Sequence, residues 1–260
     1  MSNLQYDEAA TEQLEAIYRG PDVVGQRART LDYLALRPGE AVLDIGSGPG
    51  FLCSQMGEIV GPTGRVRGVD ISPVMVDRSS RRNPHPWISF GVGDATNLPE
   101  ADAAYDVVIS VQVAEYVADI AQFCREAYRV LKPGGRALIM ATDWDSFAWH
   151  SQSSERMKRM MAAFAPHCAD SVLPRTLGRR LIDAGFSDLA VSPYLIVNPR
   201  WNGDSYSCRL IPFVASYVRR QKSLHEEEIA AWAQELTDLG RDDAYYFHLL
   251  RVFFAVTKPL

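Results

Sequence analysis

Apolar positions change period along this chain, and the changes mark its elements. Leu4, Ala9, Leu14, Ile17 and Tyr18 recur at helical spacing over 4–18, and about 22–35 reads as a second amphipathic helix. Short apolar runs of strand length follow at Ala41–Ile45, Arg65–Val69, Trp87–Phe90, Tyr105–Ser110 and Arg136–Met140. Between the last two, Ile120, Phe123, Cys124, Ala127 and Val130 carry a helix that Lys132-Pro133-Gly134-Gly135 stops. Strands alternating with helices predict a parallel sheet covered on both faces. Further on, helices are predicted over 156–165 and 174–184, strands over 187–196 and 245–257, and helices over 206–220 and 226–239. The expected fold is α/β: a mostly parallel seven-stranded sheet, a helical N-terminal lid, and an insertion of about 198–240 before the last strand.

The chemistry begins at Val42-Leu43-Asp44-Ile45-Gly46-Ser47-Gly48-Pro49-Gly50, with Phe51 opening a helix behind it. Buried strand, tight turn and helix N-terminus in this order let a ligand approach the backbone and meet unpaired N–H groups. Twenty residues beyond Gly50, a second strand ends in Asp70, placed to take both hydroxyls of a ribose. A dinucleotide loop would carry its third glycine at position 51, which is Phe51, and no lysine follows the glycines as in a P-loop. S-adenosylmethionine has a ribose and an adenine but no phosphate, and its ammonium suits Asp44.

On these residues the chain resembles class I S-adenosylmethionine-dependent methyltransferases, and within them the ubiquinone/menaquinone C-methyltransferase-like enzymes of small molecules. The likeness runs from about residue 20 to about 145. It implies a Rossmann-like core and places Gly93-Asp94-Ala95 at the adenine, Ile71 and Met75 beside the ribose acid, and Val111 and Gln112 between cofactor and acceptor. With Asp44, Gly46, Ser47, Gly48, Gly50 and Asp70 these form the expected cofactor site, for S-adenosylmethionine and its product S-adenosylhomocysteine. One domain over 1–260 is expected, with a helical cap (1–35), a cofactor-binding core (36–141) and an acceptor-side half (142–260). In the family such caps close over the cofactor, which brings Tyr18 near the sulfonium and Arg27 to the methionine carboxylate.

Each piece also has a plainer use. Tight turns need glycine whatever they bind, Asp70 can cap the helix beginning at Ser72-Pro73, Asp94 can be a solvated loop acid, and Arg27 can be a solvated helix face. Their coincidence in register is what carries the reading.

The acceptor side is less defined. The segment Thr142 to His150 is expected to leave the sheet at its ligand-binding edge, so Asp143, Trp144 and Trp149, with Tyr116, Trp201, Tyr206 and Phe213, are candidates to wall an apolar pocket. His150 is a candidate general base, and Tyr18 a second catalytic candidate. The expected reaction is methyl transfer to a small apolar or aromatic molecule, at carbon, oxygen or nitrogen. The sulfonium is already a strong electrophile, so alignment and exclusion of water are the main requirements. Cys53, Cys168 and Cys208 stand where arsenite methyltransferases of this fold carry cysteines, and three soft thiolates would suit a metalloid. Ordinary buried thiols are the simpler reading, with no resident metal. The same cofactor residues would also serve a protein that only binds the cofactor, or an enzyme that uses it without methyl transfer.

Composition narrows partners. At net charge −5 and with no basic block longer than two residues, the chain is not expected to bind nucleic acid. No apolar run reaches the roughly 20 residues of a membrane span, and Asp7, Glu8 and Glu12 do not fit a signal peptide. A cytoplasmic monomer or homodimer acting on a small molecule is expected.

Overall fold

The computed structural model describes residues 8–260, with side chains from residue 12 onward. Seven strands form one sheet: β1 (Ala41–Ile45), β2 (Arg65–Asp70), β3 (Ile88–Val92), β4 (Tyr105–Val111), β5 (Leu131–Trp149), β6 (Ser187–Asn198) and β7 (Phe247–Thr257). Their order is β3-β2-β1-β4-β5-β7-β6. The first five pair in parallel, and β7 runs antiparallel to both β5 and β6. β1 is buried along its whole length, as a central strand covered on both faces must be. The connections leave β1 toward β2 on one side and β4 on the other, so a crevice opens beyond its carboxyl end.

Helices cover both faces. α2 (Pro21–Leu34) and α3 (Phe51–Val60) bury Leu34, Cys53, Met56 and Val60 against Val42, Ile109 and Phe253. On the other face α5 (Ile120–Val130) and α7 (Pro174–Asp183) bury Phe123, Cys124, Leu177 and Leu181 against Leu43, Ile45 and Phe254. A third cluster lies beyond the sheet, where α6 (Ser154–Phe164), α8 (Tyr206–Gln221) and α9 (Glu226–Arg241) pack Phe164, Tyr217 and Trp232 around Trp144, Phe147 and Trp149. Helix starts follow the capping chemistry: Asp119, Ser153 and Ser205 accept from the backbone N–H three residues on. The first helix, α1, spans Glu8–Arg19, so positions 4–7 of the expected 4–18 helix lie outside the described residues.

The sheet departs from expectation at β5. Instead of leaving the sheet after Met140, the strand continues to Trp149: Thr142 pairs with Arg251, Asp143 with Leu250, and after a register shift Ala148 with His248 and Trp149 with Phe247. β7 is long enough to keep satisfying those backbone groups, so the chain has no reason to peel away. The Lys132–Gly135 turn lies inside the same strand as a bulge, between the pairs Tyr105–Leu131 and Val107–Arg136. No helix among the described residues is long and apolar enough to cross a membrane.

Candidate functional site

The floor of the site is the turn after β1. Gly46 and Ser47 donate their N–H groups to the Val69 carbonyl at 2.7 and 3.1 Å, which ties the turn to the end of β2. Asp70 completes the tie: one carboxylate oxygen accepts from Gly48 N at 2.8 Å, the other from Ser72 N at 2.9 Å. The helix after it, α4 (Pro73–Arg82), is capped by the Ser72 hydroxyl, so Asp70 is left to the loop. Gly46 has φ +76°, and a Cβ there would stand 2.2 Å from a Val113 methyl, so this approach of two loops needs glycine. At Gly48 a Cβ would meet only the Tyr18 ring, at 3.9 Å, and would project into the space above the turn. Gly50 faces elsewhere: its Cβ would strike Ser79 and Asn83 of α4.

Two adjoining spaces open over this floor and share Tyr18, Gly46, Gly48, Val111 and Gln112. The larger, about 570 Å³, adds Asp70, Ile71, Met75, Gly93, Asp94 and Ala95 along one wall and Tyr116 on the other. The smaller, about 60 Å³, adds Gln26, Arg27, Asp44, Ser47 and Phe51. The expected cofactor residues thus gather around one cleft, except Gly50, which touches neither space. Gly50 is the αL N-cap of α3 and packs that helix against α4.

The electrostatics of the two spaces differ. Asp44 is fully buried, and burial pushes its carboxyl up to about 7, although the Cys53 thiol donates to it at 3.2 Å. Asp70 is likewise raised by burial, with its two backbone N–H bonds opposing the shift. Asp94, in an exposed turn, is lowered because Thr96 N and Oγ1 both donate to its Oδ1. In the smaller space Gln26 Nε2, Arg27 Nε and Ser47 Oγ are buried without a hydrogen-bond partner in the protein. Unpaired buried donors are costly, and together they suit the polar end of a ligand.

Above the floor lies α1. Glu15, nearly buried, pairs with Arg19, Arg82 and Arg78 at 3.0, 3.1 and 3.5 Å. The Arg82, Arg27 and Arg19 guanidiniums stand 3.8, 5.2 and 5.8 Å from the Phe51 ring centre, and Tyr18 meets that ring edge-on at 6.4 Å. Phe51, the residue that breaks the dinucleotide pattern, is therefore the anchor of the lid. Arg27 is no solvated helix face: it donates to the Tyr18 carbonyl at 2.6 Å, and burial lowers its pKa.

The acceptor-side candidates divide. Tyr116 lines the larger space, whereas Tyr206 is buried under the Arg251 guanidinium, 4.6 Å from its ring centre, and lines neither space. The others do not reach the cleft. Trp144 packs edge-on against Phe147 and His167, and Trp149 against Trp232 while donating to the Tyr245 hydroxyl. Phe213 packs edge-on against Phe164 in the same core, and Trp201 covers Gly240. Asp143 is ion-paired with Arg175 at 3.0 Å. His150, at the exposed end of β5, donates its backbone N–H to the Tyr246 carbonyl. For Asp143, Trp144, Trp149 and His150 the cause is the extended β5, which carries these side chains past the crevice instead of over it, while Phe213 is drawn into the helical cluster beyond the sheet. Cys53 lies beneath the glycine turn while Cys168 and Cys208 belong to the α6–α8–α9 cluster beyond the sheet, and no group of three metal-ligating side chains converges among the described residues. Leu14, Phe51 and Val113 also line the cleft, although sequence reasoning does not single them out as ligand-facing. For Phe51 a signal exists, its departure from the glycine pattern.

Comparison with known proteins agrees with this geometry. The family described as "Methyltransferase domain" matches residues 43–139. The chain is 32% identical over 177 residues to the ubiquinone/menaquinone biosynthesis C-methyltransferase UbiE of Pseudomonas putida, covering 60% of this chain and 69% of that one. It is 40% identical over 110 residues to the arsenite methyltransferase of Halobacterium salinarum, covering 41% of this chain but 28% of that one. Among solved structures, phosphoethanolamine N-methyltransferase 2 of Haemonchus contortus, in complex with S-adenosyl-L-methionine, shares the fold: TM-score 0.66 at 21% identity, over 99% of this chain and 59% of that one. The chain spans about half the length of several curated relatives that it matches.

Proposed function

The chain belongs to the class I S-adenosylmethionine-dependent methyltransferases, and from that premise we propose that it transfers the methyl group of S-adenosylmethionine to a small aromatic or apolar acceptor. The observation that carries this reading is the cleft with Asp70 at the β2 tip and polar orphans at its inner end. The residues fit the cofactor end to end. Asp70 takes the ribose hydroxyls, and Asp94 and Ala95 flank the adenine. Asp44 receives the ammonium, while Gln26 Nε2 and the Arg27 guanidinium receive the carboxylate. When bound, the cofactor supplies the electrophilic methyl. Tyr18 and Gln112 stand where the two spaces join, and hold the acceptor in line while α1 excludes water. In this reading 1–35 is the lid, 36–141 holds the cofactor, and 142–260 shapes the acceptor side of one domain. The same reading expects a cytoplasmic enzyme, monomeric or homodimeric, in line with its bacterial biosynthetic relatives.

The quinone-biosynthesis relatives support an aromatic acceptor, and the tyrosines at the cleft favour the same class. Incubating the protein with S-adenosylmethionine and a panel of phenols, hydroquinones, amines and arsenite, with S-adenosylhomocysteine followed by mass spectrometry, tests it. Turnover with an aromatic acceptor is the expected result. Cofactor binding without turnover on any acceptor would make the chain a binding protein, and turnover on arsenite alone would replace the acceptor class.

A further inference from the structure

A glycine turn is soft, and this one is held from two sides. On its inner side the N–H groups of Gly46, Ser47 and Gly48 are tied to Val69 and Asp70 at the tip of β2. On its outer side the end of α4 takes up the carbonyls. Arg82 Nη1 donates to Pro49 O, and Asn83 Nδ2 to Gly50 O at 3.4 Å. Gly48 and Gly50, on either side of Pro49, have φ of +51° and +78°. Glycine takes either sign of φ at little cost, so the peptide between Pro49 and Gly50 has little orientation of its own. By pairing with its carbonyl, Arg82 selects one.

The other arm of the same guanidinium reaches the lid. Arg82 Nη2 donates to Glu15 Oε2 at 3.1 Å, and its Cζ lies 3.8 Å from the Phe51 ring centre. Glu15 stands on α1, whose Leu14 and Tyr18 line the larger space. Both side chains of the pair are mostly buried, so water and salt weaken it less than they would an exposed pair. Arg19 and Arg78 share the Glu15 carboxylate. Of the three arginines, Arg82 is the one that also donates to the turn among the described residues. A planar fork can serve two partners at a fixed angle, which the single ammonium of a lysine does poorly.

We propose that Arg82 is a positioning residue that couples α1 to the glycine turn, so that docking of the lid and ordering of the Pro49 carbonyl are one event, and release of the cofactor breaks the Glu15–Arg82 pair. The inference rests on the methyltransferase reading for the identity of the ligand alone. With α1 undocked, Arg82 loses one of the two partners that fix its position, and its hold on the turn loosens. With the turn displaced, Arg82 is drawn off Glu15. Coupling of this kind is reciprocal, so a cofactor that steadies the turn also steadies the lid above it.

Amide hydrogen exchange on the unliganded full chain, read residue by residue by NMR, tests the coupling. Glu15→Gln alters only the lid, yet exchange at Gly46, Ser47, Gly48 and Gly50 should quicken about threefold or more, as it should in Arg82→Met. Arg82→Lys should fall between wild type and Arg82→Met. Dissociation of labelled S-adenosylhomocysteine, chased with excess unlabelled S-adenosylmethionine, should quicken roughly tenfold in Arg82→Met and less in Glu15→Gln. The double variant should be no faster than Arg82→Met alone, because both substitutions remove the same contact. Unchanged exchange of the turn in Glu15→Gln would overturn the proposal, and so would effects that multiply independently in the double variant. An arginine with a merely structural role would lower the melting temperature without carrying the Glu15 effect to the turn. If the wild-type protein binds no S-adenosylhomocysteine, the methyltransferase reading fails, and the exchange measurement still decides the coupling. If Arg82→Met does not fold, Glu15→Gln and Arg82→Lys decide it by the same exchange.

Discussion

The two ends of the cleft are built on different principles. At the end that the proposed function gives to the cofactor, the shape rests on backbone: a glycine turn whose N–H groups are tied to Asp70 and the Val69 carbonyl, at the tips of adjacent parallel strands. On the acceptor side of the proposed function it would rest on side chains from separate parts of the chain, with Tyr18 on α1, Gln112 after β4 and Tyr116 in the turn that follows. Backbone sites tolerate few changes, because the shape of the turn is the site. Side-chain sites can be rewritten by single substitutions while the fold stays, which is how one fold serves many acceptors.

The contrast breaks most sharply at Gly46. Gly46→Ala adds a Cβ 2.2 Å from Val113 at a left-handed φ, so the turn must move. Affinity for S-adenosylhomocysteine should fall roughly a hundredfold by calorimetry, the scale of a strained, displaced site, with circular dichroism confirming the fold. Wild-type affinity in that variant would mean that the turn does not define the cofactor end.

Asp70→Ala should cost somewhat less, about tenfold to a hundredfold in the same affinity, because it removes a charge-assisted partner of two hydroxyls and loosens Gly48. An unchanged dissociation constant would detach Asp70 from the ribose and leave it as a loop tie.

The smallest effect sharpens the comparison through pH. Burial holds the Asp44 carboxyl at about 7, and a cofactor ammonium beside it favours the ionised form. Affinity for S-adenosylmethionine should therefore weaken as pH falls from about 8 to about 6, by up to about tenfold, and Asp44→Asn should flatten that slope. The unliganded fold shows the opposite sign. Between the ordinary value of 3.8 and about 7 the folded state holds a proton that the unfolded state has lost, so the Asp44 contribution to stability declines as pH rises through that window. Thermal melts that show no difference in slope between wild type and Asp44→Asn would remove the buried acid from both accounts.

What is legible in the chain alone follows the same division. The alternation of apolar runs and helical stretches locates the strands and helices within a few residues, because central strands of a parallel sheet covered on both faces are written as short, mainly apolar runs such as β1 and β4. The glycine turn, Asp70 and Asp94 lie within a few residues of strand ends, so sequence order alone brings them together at one edge of the sheet. The acceptor side is misjudged where pairing partners lie far off in sequence. Nothing in Thr142–Trp149 announces that β7 will continue to pair with it, and so Trp149 and His150 are expected over a cleft that they pass by. Arg251 offers a signal, a lone charge in an apolar strand, whose meaning depends on what faces it.

The sequence by itself determined the order of the elements, the nucleoside-binding turn and the acids that serve it, because these depend on local period, on glycine conformations and on neighbours along the chain. Only the tertiary structure decided that Phe51 is clamped by Arg19, Arg27 and Arg82, that Gly50 serves α4 and not the cleft, and that Arg251, buried in β7, donates to Gln26 of α2. Those juxtapositions join residues up to 225 positions apart. They arise when helices fold back over the sheet to bury their apolar faces, which fixes contacts that no local pattern encodes.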